Sequence, residues 1–310
     1  MHVVCAGLLV ADVFVPPLPR LPAPGELVAT GDFLFSAGGG ASNTAFALRR
    51  QGLDVSVVGC VGDDMFGDAV EQELRQQGID TSGVRRVPGV GTAKTVIVPV
   101  EDEDRRYIHT FGANRELRAS DLATIAFAGA DALHIGGFLL LPALDAAALA
   151  ERLAAARDRG LRVVLDVTVP GDAPFSLDDV APVLPHLDWF VANEDEARVL
   201  TGEREPERQA EAFAGAGARA VAVTLGERGA FVLLADGGRF SVPAPAVEVV
   251  EPSGAGDAFV AGLIASLLDG LDPRTSVERA CALGASACTA LGCHDGVLTR
   301  AELDDLLAAG

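Results

Sequence analysis

Asp257 follows Gly254-Ala255-Gly256 and precedes Ala258-Phe259, at the point where a glycine-rich turn opens into a helix. The helix is predicted from Phe259, Val260, Leu263, Ile264, Leu267 and Leu268, which recur at helical spacing, with Gly270 and Pro273 as its stop. Gly254, Ala255 and Gly256 then fall where backbone N–H groups lack intrahelical partners and the helix dipole is positive, which suits an anion. A carboxylate beside such a cradle suits phosphoryl transfer to a hydroxyl. The N–H groups stabilise charge on the transferred group, and Asp257 accepts the hydroxyl proton. The same residues also suit a capped core helix with an acidic first turn. On this stretch alone both readings stand.

A second cluster with chemical potential is Gly38-Gly39-Gly40-Ala41-Ser42-Asn43, ahead of a helix over Thr44 to Gln51. Its glycines would let the backbone approach a ligand closely, or would simply form a flexible turn. No Lys-Ser/Thr follows, so it is not a P-loop. Asp12 ends a buried-type strand read over Val3 to Val10, a position where α/β sheets place ligand contacts. Asn193 and Glu196 lie three apart at a predicted helix start, as in an ordinary N-cap with an acidic first turn. Gly215-Ala216-Gly217-Ala218-Arg219-Ala220 spells a dinucleotide-like GxGxxA, but it precedes a strand where that fingerprint must follow one.

These groups need a scaffold, and the remaining pattern supplies one. From about Asp131 the chain alternates strands (132–135, 162–167, 189–192, 220–225) with helices (143–159, 194–200, 207–214). Asp54 to Val61 is a further strand, 230–234 and 239–242 form a hairpin, and a last helix spans about 276–291. Two extended patches interrupt this order. Leu27 to Phe35 follows a proline-crowded segment, and 92–100 with 105–111 forms a hairpin around Glu101-Asp102-Glu103-Asp104, closed by Gly112-Ala113-Asn114. Together they are expected to form one small sheet that excludes water from a phosphoryl-transfer site. Lys94 shares a face of that hairpin with Val96 and Val98. It is the only lysine of the chain, and is either a contact for an anionic group or a solvated side chain.

With 310 residues and a 49% hydrophobic composition, the chain can build a substantial core. A net charge of −20 without a basic patch argues against nucleic acid and anionic membrane as partners. No apolar run is long enough to span a bilayer. Five cysteines without CxxC or zinc spacing fit a reducing cytoplasm, with Cys281 and Cys288 two turns apart in an apolar helix.

With both glycine-rich stretches in place, the sequence resembles the ribokinase-like (PfkB) carbohydrate kinase family. Gly38-Gly39-Gly40-Ala41-Ser42-Asn43-Thr44-Ala45, with Gly52 and Gly62, matches its N-terminal signature. Pro252-Ser253-Gly254-Ala255-Gly256-Asp257, running to Ala261-Gly262-Leu263, matches its C-terminal one. Gly62-Asp63-Asp64, Gly112-Ala113-Asn114, Asn193-Glu194-Asp195-Glu196 and Thr224-Leu225-Gly226-Glu227-Arg228-Gly229 fall between them in family order, so the resemblance covers nearly the whole chain.

The resemblance implies an α/β fold: a three-layer α/β/α body with a mostly parallel central sheet, in a single kinase domain over 1–310. A discontinuous β lid would come from about 13–36 and 92–112. It implies ATP-dependent phosphorylation of a hydroxyl or hydroxymethyl group of a sugar or polyol, with Asp257 as general base and Gly254, Ala255 and Gly256 as anion hole. Asp12, Gly39, Gly40, Asn43, Lys94 and Asn114 would face the acceptor. Asn193, Thr224, Gly226, Gly229 and Cys281 would lie on the nucleotide side, and Glu196 would hold Mg²⁺ through water. A homodimer through the lid is also implied. A nucleoside kinase of the same family and an impaired binding protein are the alternatives.

Three departures from the family pattern stand out. Glu251-Pro252 replaces the usual Asp-Thr near a monovalent-cation site, so Glu251 is the candidate ligand for an ion such as K⁺, with altered or abolished dependence. Gly38-Gly39-Gly40 replaces the Gly-Gly-Lys of ribokinase proper. Asp166-Val167-Thr168 stands where many relatives carry Asp-x-Asn.

Overall fold

The computed structural model of the chain describes residues 1–101, 103–124, 129–170 and 174–309. Asp102 of the expected acidic turn lies outside the described residues. The strands are β1 (His2–Gly7), β2 (Val10–Phe14), β3 (Leu34–Gly38), β4 (Asp54–Gly62), β5 (Asp80–Val87), β6 (Ala93–Val100) and β7 (Glu103–Thr110). They continue with β8 (Ala132–Gly136), β9 (Arg162–Asp166), β10 (Trp189–Asn193), β11 (Ala220–Thr224), β12 (Ala230–Leu234) and β13 (Arg239–Val242). The helices are α1 (Gly40–Arg50), α2 (Met65–Gln76), α3 (Asp121–Thr124), α4 (Ala146–Asp158) and α5 (Leu177–Val180). After these come α6 (Glu194–Thr201), α7 (Pro206–Gly215), α8 (Ala255–Leu268), α9 (Pro273–Ala287) and α10 (Arg300–Ala309).

Nine strands form the central sheet in the order β13-β12-β11-β10-β9-β8-β1-β4-β5, and only β12 runs against the others, antiparallel to both β11 and β13. The strands are apolar on both faces because helices cover both faces. Val3 and Cys5 pack into one core with α1, α8 and α9, while Val4 and Ala6 pack into the other with α4, α6 and α7. Parallel pairing brings the carboxyl ends of β8, β9, β10 and β11 to one edge, where Gly136, Asp166, Asn193 and Thr224 end their strands. That edge is where α/β sheets open a ligand crevice. The GxGxxA run closes α7 ahead of β11, so it opens no helix.

A second sheet, β3-β2-β6-β7, covers that crevice as a lid. It differs from the sequence expectation in two ways. The apolar stretch read as one strand over Val3 to Val10 breaks at Leu8–Leu9, so Asp12 belongs to the lid strand β2 and does not end a central strand. Continuous apolarity hid a change of sheet. The lid edge strand β3 is Leu34–Gly38, later than the extended stretch expected over Leu27 to Phe35. Among the described residues no helix is long and apolar enough to cross a membrane.

Candidate active site

Two helices begin at the same place. The N-cap of α1 is Gly39 and that of α8 is Gly254, both at positive φ, and no side chain caps either helix. Each start carries about half a positive elementary charge. Asp257 stands in the first turn of α8, and its Oδ2 accepts a 2.8 Å hydrogen bond from Asn43 Nδ2 in the first turn of α1. Thr44 Oγ1 donates to the Asp257 carbonyl at 3.4 Å, fastening the two starts together.

The glycines here do two different jobs. A Cβ at Gly254 would overlap the Cys293 carbonyl, so the chain itself requires that glycine. A Cβ at Gly256 would meet nothing within 4 Å, so its missing side chain leaves open space above the helix start for an anion. The glycines ahead of α1 meet the chain itself: a Cβ at Gly38 would overlap the Asp12 carboxylate and one at Gly39 the Leu8 carbonyl, while one at Gly40 would sit tightly against the Gly136 backbone.

Carboxylates surround the convergence. Burial first, and the charge of Asp166 second, raise Asp257 well above the usual carboxylate range, against the Asn43 hydrogen bond; Asp12 and Glu196 add to the rise. Burial likewise pushes Asp12 up to about 6, opposed by its hydrogen bonds to Thr95 and Cys293. Glu196 keeps part of its surface open, yet desolvation pushes it up to about 8, with Asp166 contributing. Asp166 itself is aimed by the fully buried His134, whose Nε2 lies 2.6 Å from Oδ2, and by the Gly137 N–H, which donates to Oδ1 at 2.8 Å. The sequence reading placed Asp166 only as a departure from a motif. Its position at the end of β9, on the same edge as Asn193, was the available signal.

The residues expected on the nucleotide side are placed at the carboxyl end of the sheet, with the exception of Cys281. Asn193 and Glu196 form a reciprocal capping box on α6: Asn193 Oδ1 accepts from the Glu196 N–H at 2.9 Å, and Glu196 Oε2 accepts from the Asn193 N–H at 2.9 Å. Thr224 pairs in register with Asn193. Gly226 opens onto free space, whereas Gly229 is required by its approach to Val242. Cys281 is a core residue between α9 and β13, with its thiol against the Val242 carbonyl and pushed up to about 12 by burial.

On the lid, register places Ser36, Asp12, Thr95 and His109 in one row across all four strands. This is a polar row on one face, with Thr95 Oγ1 3.0 Å from His109 Nδ1 and Asp12 Oδ2 3.9 Å from Cys293 Sγ. Lys94 occupies the neighbouring register position and so points to the other face. There its Nζ donates to the Thr92 carbonyl at 2.7 Å, lies 3.7 Å from Asp64 and sits over the Phe66 ring. Asn114 is fully buried, and its amide is used by Leu9: Oδ1 accepts from the Leu9 N–H at 3.2 Å, and Nδ2 donates to the Leu9 carbonyl at 3.1 Å. Lys94 and Asn114 are therefore not brought to Asp257. Sequence reasoning also missed the turn at 291–294. It packs Leu291 and Cys293 against Phe14 and Ile97, with His294 3.1 Å from Ser36 and stacked on Phe46.

Glu251 is not arranged for a free cation. Its side chain is only 4% exposed, and Oε1 accepts from the Ser253 N–H at 2.8 Å and lies 3.1 Å from Arg105 Nε in an ion pair. A monovalent ion there would meet a guanidinium of like charge. Magnesium fits differently. Among the described residues no cluster of three or more His, Cys, Asp or Glu side chains could hold a metal ion alone. Mutually repelling carboxylates beside open helix starts nevertheless suit a divalent ion that shares its ligands with nucleotide phosphates.

Comparison with known proteins gives a consistent result. A family model described as pfkB family carbohydrate kinase matches residues 1–300. The chain is 30% identical over 298 residues to 2-dehydro-3-deoxygluconokinase of Bacillus subtilis, covering 92% of this chain and 90% of that protein. It is 27% identical over 297 residues to ribokinase of Haemophilus influenzae, covering 94% and 93%. Ribokinase of Arabidopsis thaliana, solved with ribose and ATP, superposes with a TM-score of 0.81 at 23% identity, covering 99% and 98%. An E. coli structure with ATP and Mg²⁺ superposes at 0.82 with 22% identity, covering 100% and 99%. The fold, the paired signatures and these matches agree: the chain belongs to the pfkB family of carbohydrate kinases and is an ATP-dependent carbohydrate kinase.

Proposed function

We propose that the chain transfers the γ-phosphoryl group of ATP to a hydroxyl or hydroxymethyl group of a neutral sugar or polyol. Asp257 serves as general base, and the Gly254, Ala255 and Gly256 amides stabilise the transferred group. The observation that carries this reading is the Asn43–Asp257 hydrogen bond at the meeting of two uncapped helix starts. Asn43 keeps the carboxylate turned into the crevice, and the helix starts place partial positive charge where phosphoryl charge develops. Bound Mg²⁺ neutralises phosphate charge, with Glu196 and Asp166 as the chain's carboxylates toward it; Thr224 and the open backbone at Gly226 lie beside the nucleotide.

The acceptor lies between Asp257 and the polar lid row. Asp12, raised by burial, accepts hydroxyl protons, and Thr95 and Ser36 extend the row. Neutrality of the acceptor follows from charge: Lys94 faces the other side of the lid and Arg105 is engaged by Glu251, while Asp12 would repel a substrate carboxylate. The chain is read as one kinase domain whose lid is inserted in two pieces. The exposed lid edge strand β7, with Ile108 outward, is where two copies would pair; a sedimentation equilibrium experiment that finds only monomer removes that element. ADP release measured across neutral sugars, polyols, sugar acids and nucleosides tests the main proposal. Turnover confined to sugar acids or nucleosides overturns the acceptor class, and saturable ATP binding with no turnover on any acceptor overturns the kinase reading for this site.

A further inference from the structure

Two side chains of one lid strand reach the segment that leads into the anion hole. Arg105 and Tyr107, two apart on β7 and therefore on one face, meet Glu251 and Ser253, also two apart. Arg105 Nε lies 3.1 Å from Glu251 Oε1, and Tyr107 Oη lies 3.1 Å from Ser253 Oγ. The arginine also bonds the tyrosine hydroxyl, so the two contacts form one unit. Glu251 Oε1 in turn accepts from the Ser253 N–H, one residue before Gly254. The main chain behind this segment is anchored, because Val250 and Glu251 both donate to the Cys288 carbonyl. Only Pro252 and Ser253 lie between that anchor and Gly254, and the lid contacts this short segment at Glu251 and Ser253.

We propose that Arg105 and Tyr107 are positioning residues, a clasp through which the closed lid sets the anion-hole turn. In this clasp the Arg105 guanidinium brings to Glu251 the positive charge that a free monovalent cation would otherwise supply. The inference rests on the catalytic assignment of the Gly254–Asp257 turn. Neither residue touches the reacting atoms. A buried carboxylate left without its cation is costly and rearranges its surroundings, so loss of Arg105 disturbs the turn that begins two residues later. Lid closure and completion of the anion hole thereby become one event, and phosphoryl transfer to water through an open lid is disfavoured.

The test compares the wild-type protein with Arg105→Ala, Arg105→Lys and Tyr107→Phe at constant ionic strength in Na⁺ or K⁺. The wild type is expected to turn over equally in the two salts. Arg105→Ala is expected to lose at least about tenfold in kcat with the ATP KM changed by less than about twofold. Added guanidinium or K⁺ should restore part of that rate, and Arg105→Lys should retain most of it in Na⁺. Backbone hydrogen exchange over residues 251–257 should accelerate in Arg105→Ala while the α4 and α9 amides stay unchanged. This readout needs no turnover, so it judges the clasp even if the catalytic assignment fails. Strong activation of the wild type by K⁺, a normal Arg105→Ala enzyme, a loss that neither cation restores, or unchanged exchange at 251–257 would each overturn the proposal. If Arg105→Ala does not fold, Tyr107→Phe decides through the same exchange measurement: faster exchange at 251–257 supports the clasp, and wild-type exchange there overturns it.

Discussion

The two parts of the crevice proposed to take phosphate and acceptor are built from different materials. The phosphate half is backbone: two helix starts, Gly254 wedged against the Cys293 carbonyl, and Gly256 open to solvent. The acceptor half is side chains on a separate sheet, where Ser36, Asp12, Thr95 and His109 line up because their strands pair in a particular register. Backbone amides and helix dipoles handle phosphate irrespective of the alcohol that receives it. A row of lid side chains can change its preference with one substitution. On the proposed function, the reaction belongs to the first half and the choice of substrate to the second.

Substitutions can break or sharpen that contrast. The largest effect is expected at the boundary: Asp257→Asn should lower kcat by at least about a hundredfold with little change in the KM for ATP, as for loss of a general base. Steady-state kinetics with any accepted sugar checks it, and near-normal turnover removes Asp257 from that role. A smaller and one-sided effect is expected on the lid. Asp12→Asn should raise the acceptor KM by about tenfold while the ATP KM stays within about twofold of wild type, a loss of one charge-assisted hydrogen bond. If both constants rise together, the two halves are not separable as described.

Protonation gives a third measure, through stability. Asp12 rises from its ordinary 3.8 to about 6 and Glu196 from 4.5 to about 8, and Asp257 is raised as well. In that window the folded chain holds more protons than the unfolded chain, so stability falls as pH rises. Thermal unfolding of the ligand-free protein should show Tm declining from about pH 5 to pH 8, with Asp257→Asn flattening the decline and raising Tm at pH 8 by a few degrees. Added Mg²⁺ with an ATP analogue should recover most at the alkaline end. A Tm that climbs steadily over the same range would contradict the burial assigned to these carboxylates. The smallest effect is expected at Lys94, which faces away from the row: Lys94→Ala should leave the acceptor and ATP KM values within about twofold. A large rise in either would place it in the site after all.

The same division explains what could be read from the amino-acid sequence. Helix α8, the β12–β13 hairpin and the alternation from β8 onward follow from periodicity and turn residues, and the anion hole is local enough to stand out as Gly254-Ala255-Gly256-Asp257. The lid was harder. Leu8 and Leu9 are as apolar as their neighbours, so nothing in the pattern marks where the chain leaves one sheet for the other. The glycines before α1 signal close approach without saying to what, and what approaches is the chain's own Asp12, Leu8 and Gly136. Tyr107 and Ser253 are 146 residues apart, and His134 aims Asp166 across two strands. Such meetings depend on tertiary placement, which periodicity does not encode.

The amide of Asn114 has a mechanical consequence. By bonding both the N–H and the carbonyl of Leu9, it pins the two-residue join between β1 and β2, and the pinned point becomes a fulcrum for the lid. Asp12 lies three residues from it, while Arg105 lies toward the other end of β7, about 17 Å along the strand from Thr110. A tilt about that join would move Asp12 less than Arg105. On the proposed reading the lid is a lever with its short arm at Asp12 and its long arm at Arg105, so a small rotation would part Arg105 from Glu251 before it displaced Asp12.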